Sequence, residues 1–346
     1  MKLAVVLFNL GGPDSLDAVE PFLRNLFSDP AIIDLPAILR LPLARFVAWR
    51  RGPVARGIYA KLGGKSPILP ETEAQARALE QALKRQGTDA RVFIAMRASP
   101  PQSEAAARAV AAWKPDRVVL LPLYPQFSTT TSASSLGAWR RAAAKAGLRA
   151  PESRVCCYPW DAGFVTAEAK LVAEALAARK PGISYRMLFS AHGLPKYIVA
   201  RGDPYAWQAR RTAEAVIAAL DENDTLDWRL CYQSRVGPMK WLEPATDSEI
   251  RRAGAESKGL VVVPIAFVSE HSETLVELDL EYGSLASQCG VADYIRVPTV
   301  SVREAFIDGL ALLVSRAAAS NVPATCGEGR ICPAAFRRCG YDQGAK

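Results

Sequence analysis

Short runs of valine, isoleucine and leucine recur along the chain, and alanine-rich amphipathic stretches separate them. Each run is bounded by glycine, proline or serine. Continuous apolar runs of this length are typical of parallel sheets that crossover helices cover on both faces. The pattern therefore predicts an α/β fold, with strands at residues 3–9, 91–96, 117–123, 154–158, 186–191, 229–233, 260–266 and 293–297.

The predicted strands form two similar sets of four, which indicates an internal duplication. The run ending at Pro122 overlays the run ending at Pro264 with a shift of 142 residues, and Phe8 overlays Phe189 with a shift of 181. The shifts differ by 39 residues, so we expect an insertion in the first half, at residues 30–70. The predicted divisions are an amino-terminal lobe (1–160), a carboxyl-terminal lobe (161–321) and a tail (322–346).

Ligands of open α/β sheets bind beyond the carboxyl ends of the strands. Two lobes of this kind, facing one another, would form a cleft at those ends. The loops that we expect to line it are residues 9–14, 124–135, 190–197, 233–241 and 267–279.

Composition narrows the class of protein. The net charge of +8 suits an anionic partner, but lysine and arginine are scattered and no zinc-finger, RNP or basic-zipper pattern occurs, which argues against nucleic acid. No apolar stretch reaches the roughly 20 residues of a membrane-spanning helix. Seven unevenly placed cysteines do not resemble a disulfide framework, so we expect a reducing cytoplasm.

Both histidines of the chain, His192 and His271, directly follow predicted strands. An imidazole at such a strand end can reach a ligand and exchange a proton near neutral pH. The alternative for either residue is a structural histidine that only makes a hydrogen bond.

An acidic segment, SEHSETLVELDLEY, follows the strand predicted at 260–266. On an α-helix, Glu270, Glu273 and Glu277 would share one face. Like charges so close repel each other unless a cation or a proton lies among them. Oxygen ligands beside an imidazole suit a divalent metal in transit, and a solvated acidic surface is the alternative.

Seven motifs in this order resemble the ferrochelatase family across nearly the whole chain. They are NLGGP (9–13), GGKSPI (63–68), YPQFSTTTSASS (124–135), SAHGLP (190–195), RGDPY (201–205), YQSRVGPMKWL (232–242) and PIAFVSEHSETLVELDLEY (264–282). The resemblance implies a chelatase-like fold of two Rossmann-like lobes, each a four-stranded parallel sheet flanked by helices. It also implies an enzyme that inserts Fe(II), its substrate, into protoporphyrin IX to give protohaem.

The resemblance assigns catalysis and metal handling to the histidine of SAHGLP and to the acidic segment. His192 and Glu273 would face each other across a porphyrin held in a saddled shape, with His192 accepting pyrrole protons or binding iron. Distortion together with a positioned base would lower the barrier to metal insertion. The row implied to carry iron in or protons away comprises Glu270, Glu277 and Asp279, beside His192 and Glu273.

The porphyrin contacts implied by the resemblance include arginines, which suit substrate carboxylates. Ordinary surface charge is the alternative for each arginine. Animal relatives often carry an aromatic residue at the position of Ala98 and a methionine at the position of Leu10. The implied porphyrin-binding residues are Leu10, Arg50, Arg51, Tyr59, Ser66, Arg97, Ser234 and Trp241.

The segment LPAILRLPLARFVAWRRGPVARGIY (35–59) mixes large apolar residues with five arginines, and we expect two of its prolines to interrupt any long helix. Basic amphipathic segments can lie in a lipid interface with arginine on anionic headgroups. In the family this region forms a lip over the porphyrin. We therefore expect a cytoplasmic protein held peripherally on the inner face of a membrane, with a helix packed on its own core as the alternative.

Three cysteines, Cys326, Cys332 and Cys339, lie in a tail with little apolar core, where a metal centre could supply order. By spacing alone, zinc and free thiols remain alternatives. The resemblance implies a [2Fe–2S] cluster on these three and one remote cysteine. Adjacent strand residues point to opposite faces, so only one of Cys156 and Cys157 can be that ligand, and we choose Cys157.

Other functions remain open from the sequence. A coproporphyrin ferrochelatase, a non-catalytic porphyrin or haem carrier and a cobalt chelatase are the alternatives. The acidic segment argues against a carrier, because an apolar pocket gains nothing from uncompensated carboxylates. The sequence is silent on the oligomeric state, so a homodimer remains open.

Overall fold

Two parallel β-sheets organise the chain, and the computed structural model describes residues 1–220, 226–235, 237 and 239–342. Val236 and Pro238 of the predicted cleft loop, and the last four residues of the predicted tail, lie outside the described residues. In chain order the strands are β1 (Leu3–Asn9), β2 (Ala90–Met96), β3 (Arg117–Pro122), β4 (Glu152–Cys157), β5 (Tyr185–His192), β6 (Asp227–Gln233), β7 (Gly259–Val263), β8 (Tyr294–Arg296) and β9 (Ala324–Thr325).

The α-helices are α1 (Val19–Phe27), α2 (Ala37–Ala60), α3 (Ile68–Arg85), α4 (Ser103–Trp113), α5 (Ser132–Lys145), α6 (Ala162–Ala177), α7 (Lys196–Ala200), α8 (Tyr205–Ala218), α9 (Thr246–Ala255), α10 (Gly283–Gln288) and α11 (Glu304–Ala318). A π-helix (Glu273–Tyr282) lies between β7 and α10.

The first compact unit contains a parallel sheet in the order β2-β1-β3-β4-β9. Every residue of β1 is buried, as expected for a strand covered on both faces. Among the described residues this sheet has five strands, one more than predicted, because β9 pairs with β4 at its edge. The unit comprises residues 1–158, 307–331 and a segment beginning at Cys339. Residues 307–321, which were expected in the carboxyl-terminal lobe, therefore belong to the first unit.

The second compact unit comprises residues 159–306 and 332–338. Its sheet has the order β6-β5-β7-β8, which repeats the arrangement β2-β1-β3-β4 of the first unit. Phe8 pairs with Pro122, and Phe189 pairs with Val263, one position before the Pro264 of the predicted overlay. Two parallel α/β lobes are therefore confirmed.

The predicted insertion contains helix α2, which runs through both Pro42 and Pro53. The expectation that these prolines interrupt the helix is wrong. Each proline removes one backbone hydrogen bond, and intact helical turns remain between and beyond them. None of the described helices is long and apolar enough to cross a membrane.

Helix α2 packs through small side chains and exposes large ones. Ala44, Ala48 and Gly52 are buried at a spacing of four residues, which brings them to one side of the helix. Ala48 belongs to an apolar cluster with residues of α1. The exposed apolar side chains are Ile38 (82%), Leu39 (58%), Leu41 (51%), Leu43 (38%), Phe46 (58%), Trp49 (62%) and Val54 (69%).

Candidate active site

His192 is the last residue of β5, at the carboxyl end of the second sheet. The chain then turns at Gly193, whose amide donates a hydrogen bond of 2.9 Å to the Gln233 carbonyl at the end of β6. A Cβ atom at Gly193 would lie 2.7 Å from that carbonyl oxygen, so only glycine fits. This close approach fixes the backbone directly after the histidine.

Glu273 begins the π-helix after the β7 loop. Since β7 pairs with β5 in parallel, the carboxyl ends of these strands are neighbours. The Nδ1 atom of His192 lies 2.9 Å from Glu273 Oε2, within hydrogen-bonding distance. The two residues are therefore side by side.

Electrostatics favour an imidazolium–carboxylate pair. Burial alone would lower the pKa of His192, but the charge and hydrogen bond of Glu273 raise it above its ordinary value. Burial alone would raise the pKa of Glu273, but His192 draws it down to about 2. The pair can thus hold one proton on the imidazole and release it when a partner or a higher pH removes it.

Ser234 joins a second carboxylate to this pair. Its backbone amide donates a 2.8 Å hydrogen bond to Glu277 Oε1, and its hydroxyl donates to the other oxygen of Glu277 and, at 3.4 Å, to Glu273 Oε2. Ser234 adopts a positive φ of 61°, which aims both groups at the π-helix. Burial and the charge of Glu273 raise the pKa of Glu277.

Gln233 lies in the YQSRVGPMKWL motif but is not among the predicted site residues. Its side-chain amide donates to the Glu273 carbonyl at 2.9 Å and to Glu277 Oε2 at 3.1 Å. Its amide oxygen accepts from the Ser190 hydroxyl at 2.8 Å. Because Gln233 is fully buried, these bonds hold the start of the π-helix against the sheet.

The predicted acidic row divides into two groups, so the expectation of one shared helical face is wrong. A π-helix closes i→i+5 hydrogen bonds and does not keep α-helical spacing, and Glu270 lies before the helix begins. Arg296 binds Glu270 at 2.6 Å and Asp279 at 2.7 Å. These two carboxylates are therefore compensated by arginine, and Glu277 is the one that lies with Glu273.

The second histidine lies close to the pair. His271 Nε2 is 3.9 Å from Glu273 Oε2, and its ring packs on Phe267 with a centroid separation of 4.6 Å. Burial lowers the pKa of His271, so its ring is neutral near pH 7. His271 thus adds a nearby uncharged imidazole and no second positive charge.

The predicted porphyrin residues of the first unit differ in how accessible they are. Tyr59 and Ser66 are buried, and the Tyr59 ring packs edge-to-face on Phe22. Arg97 forms a 2.9 Å ion pair with Asp29, so its charge is balanced within the unit.

The remaining predicted porphyrin-binding residues are more exposed to solvent. Arg50 and Arg51 are exposed on α2, and Leu10 is half-buried after β1. In the second unit, half-buried Trp241 lines an open cavity of about 360 Å³ together with Arg235, Gly237, Met239, Asp247 and Tyr282. Tyr282 also donates a 3.0 Å hydrogen bond to Glu277, so this cavity lies beside that carboxylate.

No disulfide bond joins any of the seven cysteines, which all lie within the described residues. Cys157 is buried in β4, and its partner across the sheet is Thr325, the residue before Cys326. Cys332 is buried and accepts a 3.1 Å hydrogen bond from the Gln208 amide, and Cys339 is buried too. No group of three or more histidine, cysteine or acidic side chains that could hold a metal ion occurs among the described residues.

Comparisons with known proteins identify relatives over the full length. The ferrochelatase family model matches residues 2–318. A ferrochelatase of Phenylobacterium zucineum (strain HLK1) is 55% identical over 347 residues, 99% of each chain. A ferrochelatase of Caulobacter vibrioides (strain NA1000 / CB15N) is 52% identical over 348 residues, again 99% of each.

A solved structure supports the fold. The sirohydrochlorin chelatase SirB of Bacillus subtilis subspecies spizizenii, in complex with cobalt, aligns with a TM-score of 0.53. The alignment covers 93% of this chain and 97% of that one at 12% identity. At this identity the likeness concerns the arrangement of helices and strands.

Proposed function

This chain belongs to the ferrochelatase family and inserts Fe(II) into protoporphyrin IX to give protohaem, and we propose that His192 and Glu273 carry out that reaction as one hydrogen-bonded pair. The observation that supports the pair most directly is the 2.9 Å contact between His192 Nδ1 and Glu273 Oε2. The contact joins a base to the carboxylate that stabilises its protonated form.

The chemistry of metal insertion explains why such a pair is useful. Two pyrrole N–H protons leave as the metal enters the macrocycle, so a positioned base lowers the barrier. His192, once neutral, accepts a proton from a pyrrole nitrogen. Glu273 stabilises the resulting imidazolium, because an adjacent carboxylate favours the charged form of a base.

Glu277 extends the pair with a second set of carboxylate oxygens. Its two oxygens are held by Ser234, and its pKa is raised by burial and by Glu273. Carboxylates and imidazole suit Fe(II) that must be released into the porphyrin, whereas a thiolate cage would retain it. We therefore place the path of iron or protons at Glu273 and Glu277.

Substrate carboxylates need cationic partners. The exposed guanidinium groups of Arg50 and Arg51 suit them, because arginine binds carboxylates with two parallel hydrogen bonds. Arg97 is already paired with Asp29, so it serves the first unit's own structure in this state.

The activity itself is tested by an anaerobic assay with Fe(II) and protoporphyrin IX. The wild-type protein should form haem at a rate proportional to protein concentration, measured by haem absorption. A protein that binds porphyrin and forms no haem would be a carrier and would contradict the assignment.

Helix α2 supports a finer proposal, that the protein lies on the inner face of a membrane. Its small side chains are buried and its large apolar side chains face outwards, the reverse of an ordinary amphipathic helix. Arg45, Arg50 and Arg51 are exposed on the same helix. Exposed apolar residues with adjacent arginines suit an anionic lipid surface.

Replacing Phe46 and Trp49 by aspartate should weaken binding to anionic phospholipid vesicles roughly 10- to 100-fold, from the lost burial of two aromatic side chains. Sedimentation with vesicles measures the change. Leu312→Asp is the matched control, because Leu312 is 55% exposed on α11. Unchanged binding by the double variant, or equal loss in the control, would contradict a membrane role for α2.

The tail supports the proposal of a [2Fe–2S] cluster on Cys157, Cys326, Cys332 and Cys339. The pairing of Cys157 with Thr325 brings its strand beside the start of the tail. The described arrangement does not itself present three ligands together. The tail would therefore rearrange on loading, as metal binding and local folding are often coupled.

Anaerobically purified protein should contain iron and acid-labile sulfide in equal amounts and absorb visible light. Cys332→Ser should lose both the absorption and the sulfide, whereas Cys289→Ser, a change at a half-buried cysteine outside the tail, should retain them. Protein without sulfide, or with zinc in its place, would contradict the cluster.

A further inference from the structure

Asp29 is a buried acidic residue between α1 and α2 that the proposed reaction does not use. Its side chain is 4% exposed, and Nη2 of Arg97 lies 2.9 Å from its Oδ2 atom. A buried carboxylate needs such a partner, because an unpaired charge in the protein interior is costly. The ion pair is therefore a fixed point within the first unit.

Ser134, in the first turn of α5, joins both members of this ion pair. Its hydroxyl accepts a 2.7 Å hydrogen bond from Arg97 Nε and donates one to Asp29 Oδ2. Since Arg97 directly follows β2, these contacts link the end of α1, the carboxyl edge of the sheet and the start of α5. We call Asp29, Arg97 and Ser134 the clamp.

The clamp also organises the connection from α1 to α2. Asp29 Oδ1 accepts a 2.9 Å hydrogen bond from the Ala31 amide, and the Asp29 carbonyl accepts from the next two amides, both at 3.0 Å. Arg40, in α2, donates through Nε to the Ser28 carbonyl at 2.9 Å. The first turns of α2 are thus bonded to the residue that directly precedes Asp29.

Core packing holds the later part of α2 but not its first two turns. The buried residues of the helix are Ala44, Ala48, Gly52 and Tyr59, whereas every residue from 37 to 43 is exposed or half-buried. The position of residues 37–43 therefore depends on their bonds to the connection and not on the apolar core.

We propose that the clamp fixes the amino-terminal half of α2, with Asp29 as the positioning residue. Breaking the ion pair frees the turn at Asp29 and, with it, the first two turns of the helix. Those turns carry the exposed apolar side chains of Ile38, Leu39 and Leu41. The consequence for a lipid surface rests on the proposed membrane role of α2, but the clamp itself is measured without lipid.

Hydrogen–deuterium exchange of the purified protein tests the clamp. Asp29→Asn keeps the shape of the side chain and removes its charge, so the amides of residues 30–43 should exchange about 10- to 100-fold faster. The amides of α3, in the same unit, should keep their wild-type rates. Asp34→Asn, at an exposed position of the same connection, is the matched control and should change neither segment.

A second substitution distinguishes a charge pair from general packing. Arg97→Met leaves the Asp29 carboxylate buried without its cation, so residues 30–43 should exchange faster than in Asp29→Asn. Adding Asp29→Asn to Arg97→Met removes the unpaired charge and should slow the exchange again. Ser134→Ala, a milder change, should accelerate the exchange of the same residues by less.

Vesicle binding gives the functional readout. Asp29→Asn should bind anionic phospholipid vesicles several-fold more weakly than Asp34→Asn, measured by sedimentation. The two variants have the same net charge, so the comparison isolates the position of the helix. The binding is weaker because ordering the freed turns at the surface costs conformational entropy.

Two results would overturn the proposal. One is exchange of residues 30–43 that stays at the wild-type rate in Asp29→Asn and Arg97→Met, or that rises equally throughout the first unit. The other is equal vesicle binding by Asp29→Asn and Asp34→Asn. A wild-type protein that does not bind vesicles would instead refute the proposed membrane role and leave the exchange result standing.

Discussion

His192→Ala should lower the rate of iron insertion about 10²- to 10⁴-fold, the usual contribution of a positioned general base, while porphyrin binding should be largely kept. The imidazole is 39% exposed at the end of β5 and contacts Glu273, so its removal leaves the sheet core intact. Without it, the base that contacts Glu273 at hydrogen-bonding distance is lost, and His271, which lies 3.9 Å from Glu273 and has a pKa lowered by burial, is a weaker base for a pyrrole proton. Anaerobic haem formation gives the rate, and porphyrin fluorescence titration gives the binding.

Lys196→Ala is the control for this substitution. Lys196 lies four residues further along the chain, and its ion pair with Glu243 is exposed on both sides. Exposed ion pairs contribute little to stability, so this variant should form haem at the wild-type rate. A His192→Ala protein with wild-type turnover, or with porphyrin binding and turnover lost together, would remove His192 from the chemical step.

Glu273→Gln should change the pH dependence of the reaction as well as its maximal rate. In the wild type Glu273 raises the pKa of His192, so the fraction of neutral imidazole grows as the pH rises through that raised value. With glutamine, burial dominates and lowers the pKa of His192. The acid limb of kcat against pH should therefore move to lower pH. The maximal rate should fall, because a neutral amide stabilises the imidazolium less than a carboxylate does.

Glu277→Gln provides the comparison for that shift. Glu277 also raises the pKa of His192, but its contribution is smaller than that of Glu273. The acid limb of Glu277→Gln should move in the same direction by less. An acid limb that stays in place in Glu273→Gln, or that moves further in Glu277→Gln, would show that Glu273 does not control the base.

The strands could be predicted because parallel strands buried on both faces need continuous apolar residues. Strand β1 illustrates this, since all of its residues are apolar or buried and its limits are those expected. Strand β9 could not be predicted in the same way. It is only Ala324–Thr325, and nothing in two residues of a tail rich in glycine and proline distinguishes a strand from a turn.

Residues of the candidate site could be predicted from the sequence, but their contacts and the type of helix that carries them could not. His192 and Glu273 each follow an apolar strand, and the parallel pairing of β5 with β7 brings them together. The compensation of Glu270 and Asp279 by Arg296 has no local signal, because the arginine lies on β8, which pairs with β7. The π-helix could not be predicted, because the spacing of the acidic residues alone also fits an α-helical period.

Helix α2 shows where rules of local sequence are outweighed by packing. Pro42 and Pro53 would end an isolated helix, but the buried Ala44, Ala48 and Gly52 between them allow close packing on α1. The tertiary contact outweighs two lost hydrogen bonds. Its exposed apolar side chains could not be assigned to an outer face from the sequence, because the hydrophobic residues are spread all round the helix.

The titration of His192 tests most directly whether its basicity is set by Glu273. The chain has two histidines, so the ring resonances of His192 can be assigned by their absence from His192→Ala. In wild-type protein the His192 ring should titrate above the ordinary histidine pKa, and in Glu273→Gln it should titrate below it. Equal titration of His192 in both proteins would contradict a catalytic pair.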